Sequence, residues 1–458
     1  MNLPKDYQNF LLQYWKAGDV DTLLQGLDGD PSVSIRLNTN RLSAAIVPEG
    51  ADGQVPWCPE GYYLRERPTF TADPLFHAGA YYVQEASSMF LAHVLRHFSS
   101  PLSTLNSQLS TFRSAQRDAP HLENFLLHTV LDLCAAPGGK STLMRSILPD
   151  DCLLISNEPN RQRAQVLAEN MAKWGHPNVL VTQAYATEIA HSIEPVDLIL
   201  ADVPCSGEGM FRKEEEAVCQ WSPRLVADCA ALQRSIVADI WPLLRPGGIL
   251  IYSTCTFNPE EDENNVEWIA RELDAVPLAI PIESNWGIRG DLRRGHTADA
   301  ALPCYHFLPG QVRGEGFFLA VLQKQGTHQK HIKTTKNAHF IEEQPESDRG
   351  RKTHQKHIKN AKNAHSIVAL PTNQLDEPGV PYVELSLADA IRYLQRESLI
   401  LPPDAPRGHV QVCYHGQRLG LMNNLGSRAN NLYPKEWRIR SGHHTPHTLF
   451  ALTAPKGE

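Results

Sequence analysis

Between residues 125 and 323 the sequence alternates short apolar runs with longer segments of helical period, and that alternation leaves few folds open. The runs are Val130–Cys134, Cys152–Ser156, Asn178–Thr182, Asp197–Val203 and Ile249–Ser253, with a later Phe317–Leu322. A strand that is apolar on both faces needs helices above and below it, so such runs predict buried parallel strands. The segments between them carry helix punctuation. Asn160 and Gly175 bracket one helix as cap and terminator. Asn258-Pro259-Glu260-Glu261 predicts the opening of another, running to Leu273. Strand–helix alternation on this scale predicts an open, doubly wound, Rossmann-like α/β sheet.

A chain of 458 residues exceeds one core, and the flanks divide accordingly. Residues 1–98 predict a small N-terminal α/β domain with a helix Tyr7–Lys16, a strand Ser32–Leu37 and a helix Gln84–His97. Residues 99–124 are Ser/Thr/Gln-rich without periodicity and read as a flexible insert. Residues 324–370 contain a repeat: Thr327–Lys333 recurs as Thr353–Lys359, and Lys336–His339 as Lys362–His365. Two copies are too few for a solenoid, and a solvated linker is expected. Residues 371–458 predict a third small domain, with a helix Leu385–Arg396 and strands His409–Cys413 and Arg418–Met422.

The formal net charge of −8 excludes a uniformly basic nucleic-acid binder. Residues 324–365 carry ten Lys/Arg against four Asp/Glu, a local +6 that leaves −14 elsewhere, so any nucleic-acid contact must come from local patches. Nine cysteines without CxxC pairs argue against both a disulfide framework and a zinc site, and no metal is expected. The N-terminus is too charged for a signal peptide, and no run approaches the length of a membrane span. A monomeric, cytoplasmic protein is expected.

The chemistry concentrates at three strand ends. Leu131-Asp132-Leu133 runs into Cys134, Ala135, Ala136, Pro137, Gly138, Gly139 and Lys140, then Ser141-Thr142: a strand, a turn of small residues and a helix start. Small residues let the backbone approach a ligand, and helix N-terminal amides favour electron-rich groups. A P-loop would read similarly, but Cys134 stands where its first glycine is required. Glu158, at the end of the second strand, is placed to accept both hydroxyls of a ribose. Asp202 and Cys205 follow the fourth strand, and Cys255 ends the fifth, on the same ligand-binding edge. The remaining cysteines read as small buried hydrophobes.

CAAPGGKST, DVPCSGEGMFRK and YSTCTFNPEEDE resemble the signature blocks of the Sun/NSUN family of RNA cytosine-C5 methyltransferases. Asp73–Met89 extends the resemblance into the N-terminal domain, and Leu419–Arg440 is similar to the PUA-like RNA-binding tail of the bacterial RsmF-type branch, which acts on 16S ribosomal RNA. The resemblance implies S-adenosylmethionine as cofactor, held by Cys134–Lys140, Glu158 and Asp202, and RNA as partner. It implies Cys255 as the nucleophile on cytosine carbon 6, Cys205 as the thiol serving release, and Asp202 as the acid touching cofactor and base. Lys213 matches a family lysine near the site. A tRNA enzyme and a catalytically idle RNA-binding assembly factor are the competing readings. Two positions depart from the pattern: Val203 replaces an alanine, and Gln183-Ala184-Tyr185 stands where an aspartate usually meets the adenine.

Overall fold

The computed structural model describes residues 3–42, 46–99, 127–295, 301–326, 368–370, 379–440, 448 and 450. The insert beyond residue 99 and both copies of the repeat lie outside the described residues.

The central sheet has nine strands. They are β5 (Thr129–Asp132), β6 (Leu153–Asn157), β7 (Val179–Gln183), β8 (Val196–Asp202), β9 (Leu244–Thr254), β10 (Ala275–Leu278), β11 (Tyr305–Phe307), β12 (Phe317–Lys324) and β13 (Val368–Leu370). A smaller sheet precedes it, formed by β1 (Val33–Leu37), β2 (Ala51–Val55), β3 (Cys58–Leu64) and β4 (Tyr81–Val83). The large sheet runs β10-β12-β9-β8-β5-β6-β7-β13, with β11 on β12. β5 to β9 are mutually parallel where they pair, and β12 closes antiparallel on β9. The order reverses beside β5, which opens a crevice at the carboxyl ends of β5 and β8 where ligands of such sheets bind. All of β5 and β6 and nearly all of β8 are buried, because helices cover both faces.

Helix ends follow local chemistry. Asn160 Oδ1 accepts from the Gln162 and Arg163 amides at 3.0 and 3.1 Å, and Gly175 at φ +76° ends that helix at Trp174. Asn258-Pro259 does not open its helix. The next helix is Glu263–Glu272, and residues 259–262 form a turn from which Glu261 and Asp262 bond inward instead. The N-terminal helix ends at Tyr14, and an unanticipated helix Ala17–Leu27 follows. The segment expected to be helical from Gln84 becomes α-helix only at Phe90. Residues 368–370, expected as linker, add antiparallel to β7. Cys219 is exposed and Cys229 half-buried, contrary to the buried-hydrophobe expectation that Cys58, Cys152, Cys304 and Cys413 meet.

The C-terminal unit holds β14 (Tyr382–Glu384), β15 (Gly408–Tyr414), β16 (Gln417–Asn424) and β17 (Ala429–Asn431). Its apolar residues merge with those of the first unit into one cluster that includes Ile35, Leu37 and Tyr81 alongside Tyr393, Val410 and Tyr433. Tyr81 and Phe450 pack with ring centroids 5.5 Å apart. The first unit is also tied to the large sheet through buried Arg36, which donates to Gln84 Oε1 at 2.8 Å and to Thr142 Oγ1 at 2.7 Å. No helix among the described residues is long and apolar enough to cross a membrane.

Candidate active site

The turn after β5 needs glycine where it needs room. Gly138 takes φ +114°, a region side chains avoid, and opens the helix Gly139–Ile147. Beyond β6, the Glu158 carboxylate is 2% exposed, accepts from the Asn160 amide at 3.0 Å and lies 3.4 Å from Arg163 Nη2. Arg163 Nη2 also donates to the Ala136 carbonyl at 3.0 Å, so the acid and the small-residue turn are held as one cradle. Asn157 Nδ2 donates to the carbonyls of Leu133 and Ala184, fixing three loop starts together. Asp132 lies fully buried beneath the turn. Burial pushes its carboxyl up to about 7, opposed by the Ser141 hydroxyl that donates to it at 2.6 Å and reinforced by Asp202. The Cys134 thiol is pushed up by burial and by the same carboxylates.

Asp202, ending β8, sits between two donors. Lys140 Nζ lies 2.8 Å from Oδ2, and Ser253 Oγ donates to Oδ1 at 2.8 Å. Burial opposes the Lys140 charge, but Asp202 outweighs it and the ammonium is held more firmly than usual. On the loops that follow β8 and β9, Cys205 Sγ and Cys255 Sγ lie 3.1 Å apart. Contact with Cys255, then burial, raises the Cys205 thiol well above its ordinary value. The loops meet this closely because residue 209 is glycine: a Cβ there would meet the Cys255 carbonyl oxygen at 2.9 Å.

Beneath the thiols lies a buried polar network that the sequence motifs contain but sequence reasoning did not single out. Asn258 Nδ2 donates to Glu208 Oε1 and to Glu261 Oε1, each at 2.9 Å. Glu261 Oε2 accepts from the Ser206 amide at 3.0 Å and from Gln233 Nε2 at 2.7 Å. Glu208 Oε2 accepts from the Phe257 amide at 2.8 Å, and Oε1 from Trp221 Nε1 at 2.9 Å. Each acid thus clamps the backbone next to one thiol, and Asn258 joins the clamps. Burial, then Glu208, pushes Glu261 up to about 7, and burial raises Glu208. The available signal was two acids and an asparagine in segments about to be buried.

The structure therefore gathers Cys205, Cys255, Asp202, Lys140 and the 134–139 turn at one sheet edge, with Glu158 at the next strand end. Lys213 does not join the thiols in any contact. Its Nζ lies 4.0 Å from Glu315, beside the Arg212–Glu315 pair. At the departure after β7, Tyr185 is 66% exposed and Gln183 Nε2 reaches only the Pro159 carbonyl, at 3.5 Å.

Three family models match the chain. They are the N-terminal domain of 16S rRNA methyltransferase RsmF over residues 3–86, 16S rRNA methyltransferase RsmB/F over 120–323, and the methyltransferase RsmF PUA domain over 380–439. In all three units the chain is similar to the RsmF-type branch of this family. Ribosomal RNA small subunit methyltransferase F from Pectobacterium carotovorum subsp. carotovorum is 34% identical over 335 residues, covering 70% of this chain and 63% of that one. Its counterpart from Klebsiella pneumoniae is 35% identical over 305 residues, covering 64% and 57%. The chain spans less than two thirds of the length of these relatives. Among solved structures, a methyltransferase homolog protein from Pyrococcus horikoshii matches with TM-score 0.52 at 23% identity, over 70% of this chain and 96% of that one. NSun6 from Pyrococcus horikoshii with SFG matches with TM-score 0.52 at 19% identity, over 70% and 98%. These likenesses establish the Rossmann-like fold of the central unit.

Proposed function

We propose that the chain transfers a methyl group from S-adenosylmethionine to carbon 5 of a cytosine in 16S ribosomal RNA, through a covalent bond from Cys255 to carbon 6. The observation that carries this reading is the pair of thiols in contact at the ligand-binding edge, beside an acid held by Lys140 and Ser253. The family supports RNA as substrate. The cofactor reading rests on the cradle of small residues with a buried carboxylate at the next strand end, and the cofactor would supply the methyl group.

Carbon 5 of cytosine is too weak a nucleophile by itself. Addition of the Cys255 thiolate to carbon 6 turns the ring into an enamine, and the electron pair displaced toward N3 takes up a proton there, held between N3 and the Asp202 carboxyl. Lys140 and Ser253 orient Asp202 and temper its charge. After methylation at carbon 5, a base removes the proton from that carbon. The electron pair re-forms the 5,6 double bond and expels Cys255 as thiolate. Cys205 lies next to the sulfur being expelled and serves this release step. The target base must leave its stack to reach either thiol, and the first and last units, with their shared core, would grip the flanking RNA.

Exchange of each thiol separates the steps. Cys255→Ala should abolish both methylation and any adduct. Cys205→Ala should permit attack and transfer but leave protein joined to RNA, as a denaturant-resistant slow band requiring both RNA and S-adenosylmethionine. The reverse pattern would exchange the roles, and activity retained in both variants would sink the covalent route. A catalytically idle assembly factor would show no methylation in the parent either.

A further inference from the structure

Beneath the end of β9, three side chains of metal-ligand type meet in full burial. Glu263 opens the helix Glu263–Glu272, Cys304 immediately precedes β11, and His306 lies within it. Their ligand atoms lie within 4.8 Å of one another. The side chains of Glu263 and His306 have no solvent exposure, and Cys304 is 4% exposed. One contact is made, His306 Nε2 to Glu263 Oε1 at 2.9 Å. It leaves Glu263 Oε2 and His306 Nδ1 buried without a hydrogen-bond partner. Neighbouring Asp262 adds a third such atom, Oδ2, while its Oδ1 accepts from Thr254 Oγ1 at 2.6 Å. Each orphan in a sealed interior costs about 1–3 kcal/mol, and a finished core rarely gathers three.

Charge points the same way. Asp262 and Glu263 are adjacent buried acids, and Arg293, which acts on this cluster, already holds Asp291 at 2.8 Å and Glu267 at 2.7 Å.

We propose that Glu263, Cys304 and His306 form a zinc site. Thiolate, imidazole and carboxylate together select zinc over magnesium or calcium, which take oxygen ligands. A carboxylate, a thiolate and a neutral imidazole balance the charge of one dication. Binding forms the sulfur–zinc bond as the Cys304 proton leaves to solvent, and a water takes the fourth tetrahedral position. The ion would pin the first turn of the helix and, through the Asp262–Thr254 bond, the end of β9 that delivers Cys255. This replaces the expectation of no metal drawn from the absence of CxxC pairs, since these ligands come from segments 41 residues apart in the sequence. The proposal does not rest on the methyl-transfer reading.

The full chain, produced in zinc-supplemented medium and dialysed, should carry stoichiometric zinc by plasma mass spectrometry. In Cys304→Ser combined with His306→Gln, zinc affinity should fall by about tenfold or more. Cobalt(II) loaded in place of zinc should give a thiolate-to-metal charge-transfer absorption that Cys304→Ser alone removes. A strong chelator should lower the Tm of the parent, and added zinc should restore it. A parent that neither retains zinc nor gains Tm from it overturns the site. Parental zinc in a folded double variant also overturns it, by assigning the metal to other thiols. Where the variants do not fold, a cobalt-loaded parent without the thiolate band overturns it just as firmly.

Discussion

Glu261→Gln tests whether the network beneath the two thiols carries a proton rather than a charge. Glu261 has no solvent exposure, and folding raises its carboxyl from 4.5 to about 7. The folded state therefore binds more protons than the unfolded chain between those values, and stability must fall as pH rises through that window. At about 1.4 kcal/mol for each pKa unit, the loss on full ionisation is roughly 3 kcal/mol. Glutamine keeps the shape and one acceptor but does not titrate, so the variant lacks this loss. The stability gap between variant and parent should thus move by roughly 2.5 kcal/mol in the variant's favour from pH 5 to pH 8, since part of the loss lies below pH 5. Urea unfolding at matched ionic strength reads that gap, provided the denaturant slope is the same for both proteins. Asp132, also pushed to about 7, contributes a similar slope to both proteins and cancels in the difference. A gap that moves by less than about 1 kcal/mol, or in the opposite direction, would mean that Glu261 ionises as an ordinary carboxyl and that the donors around it fully offset its burial.

Glu158→Ala should weaken S-adenosylmethionine binding by about 1.5–3 kcal/mol, the range for hydrogen bonds to a charged group, and calorimetry showing unchanged affinity would remove Glu158 from the site. Gly209→Ala should destabilise the protein by about 1–3 kcal/mol and lower kcat, because the new Cβ meets the Cys255 carbonyl oxygen at 2.9 Å and forces the thiol loops apart. Normal turnover and stability in that variant would show that the loops can separate freely.

The central sheet was legible because parallel strands buried on both faces leave apolar runs that no surface element imitates. The turn at 134–140 and the two thiols were legible for a related reason: each stands where a strand ends, and position on the edge sets function. What escaped the sequence was side-chain direction. Asn258, Pro259 and acids in order look like a helix start, yet Asn258 and Glu261 turn inward to bond Glu208 and the Ser206 amide, and the helix waits until Glu263. Local capping chemistry lost to a long-range network whose partners lie about 50 residues away. The strand at 368–370 was equally hidden, since three residues carry no readable period and gain their pairing only from the exposed edge of β7. Cys304 and His306 gave no spacing signal because their third companion, Glu263, lies on another element.

The core shared by the first and last units has a consequence for how the chain is made. Ile35, Leu37 and Tyr81 leave the ribosome early, whereas Val383, Tyr393 and Val410, which cover the same core, come some 300 residues later. At synthesis rates of about 5–20 residues per second, the N-terminal sheet waits roughly 15–60 seconds with an apolar face uncovered. The nascent chain is therefore an obligate client of whatever shields such faces, and a ribosome stalled before residue 379 would release a species prone to aggregate rather than a folded fragment.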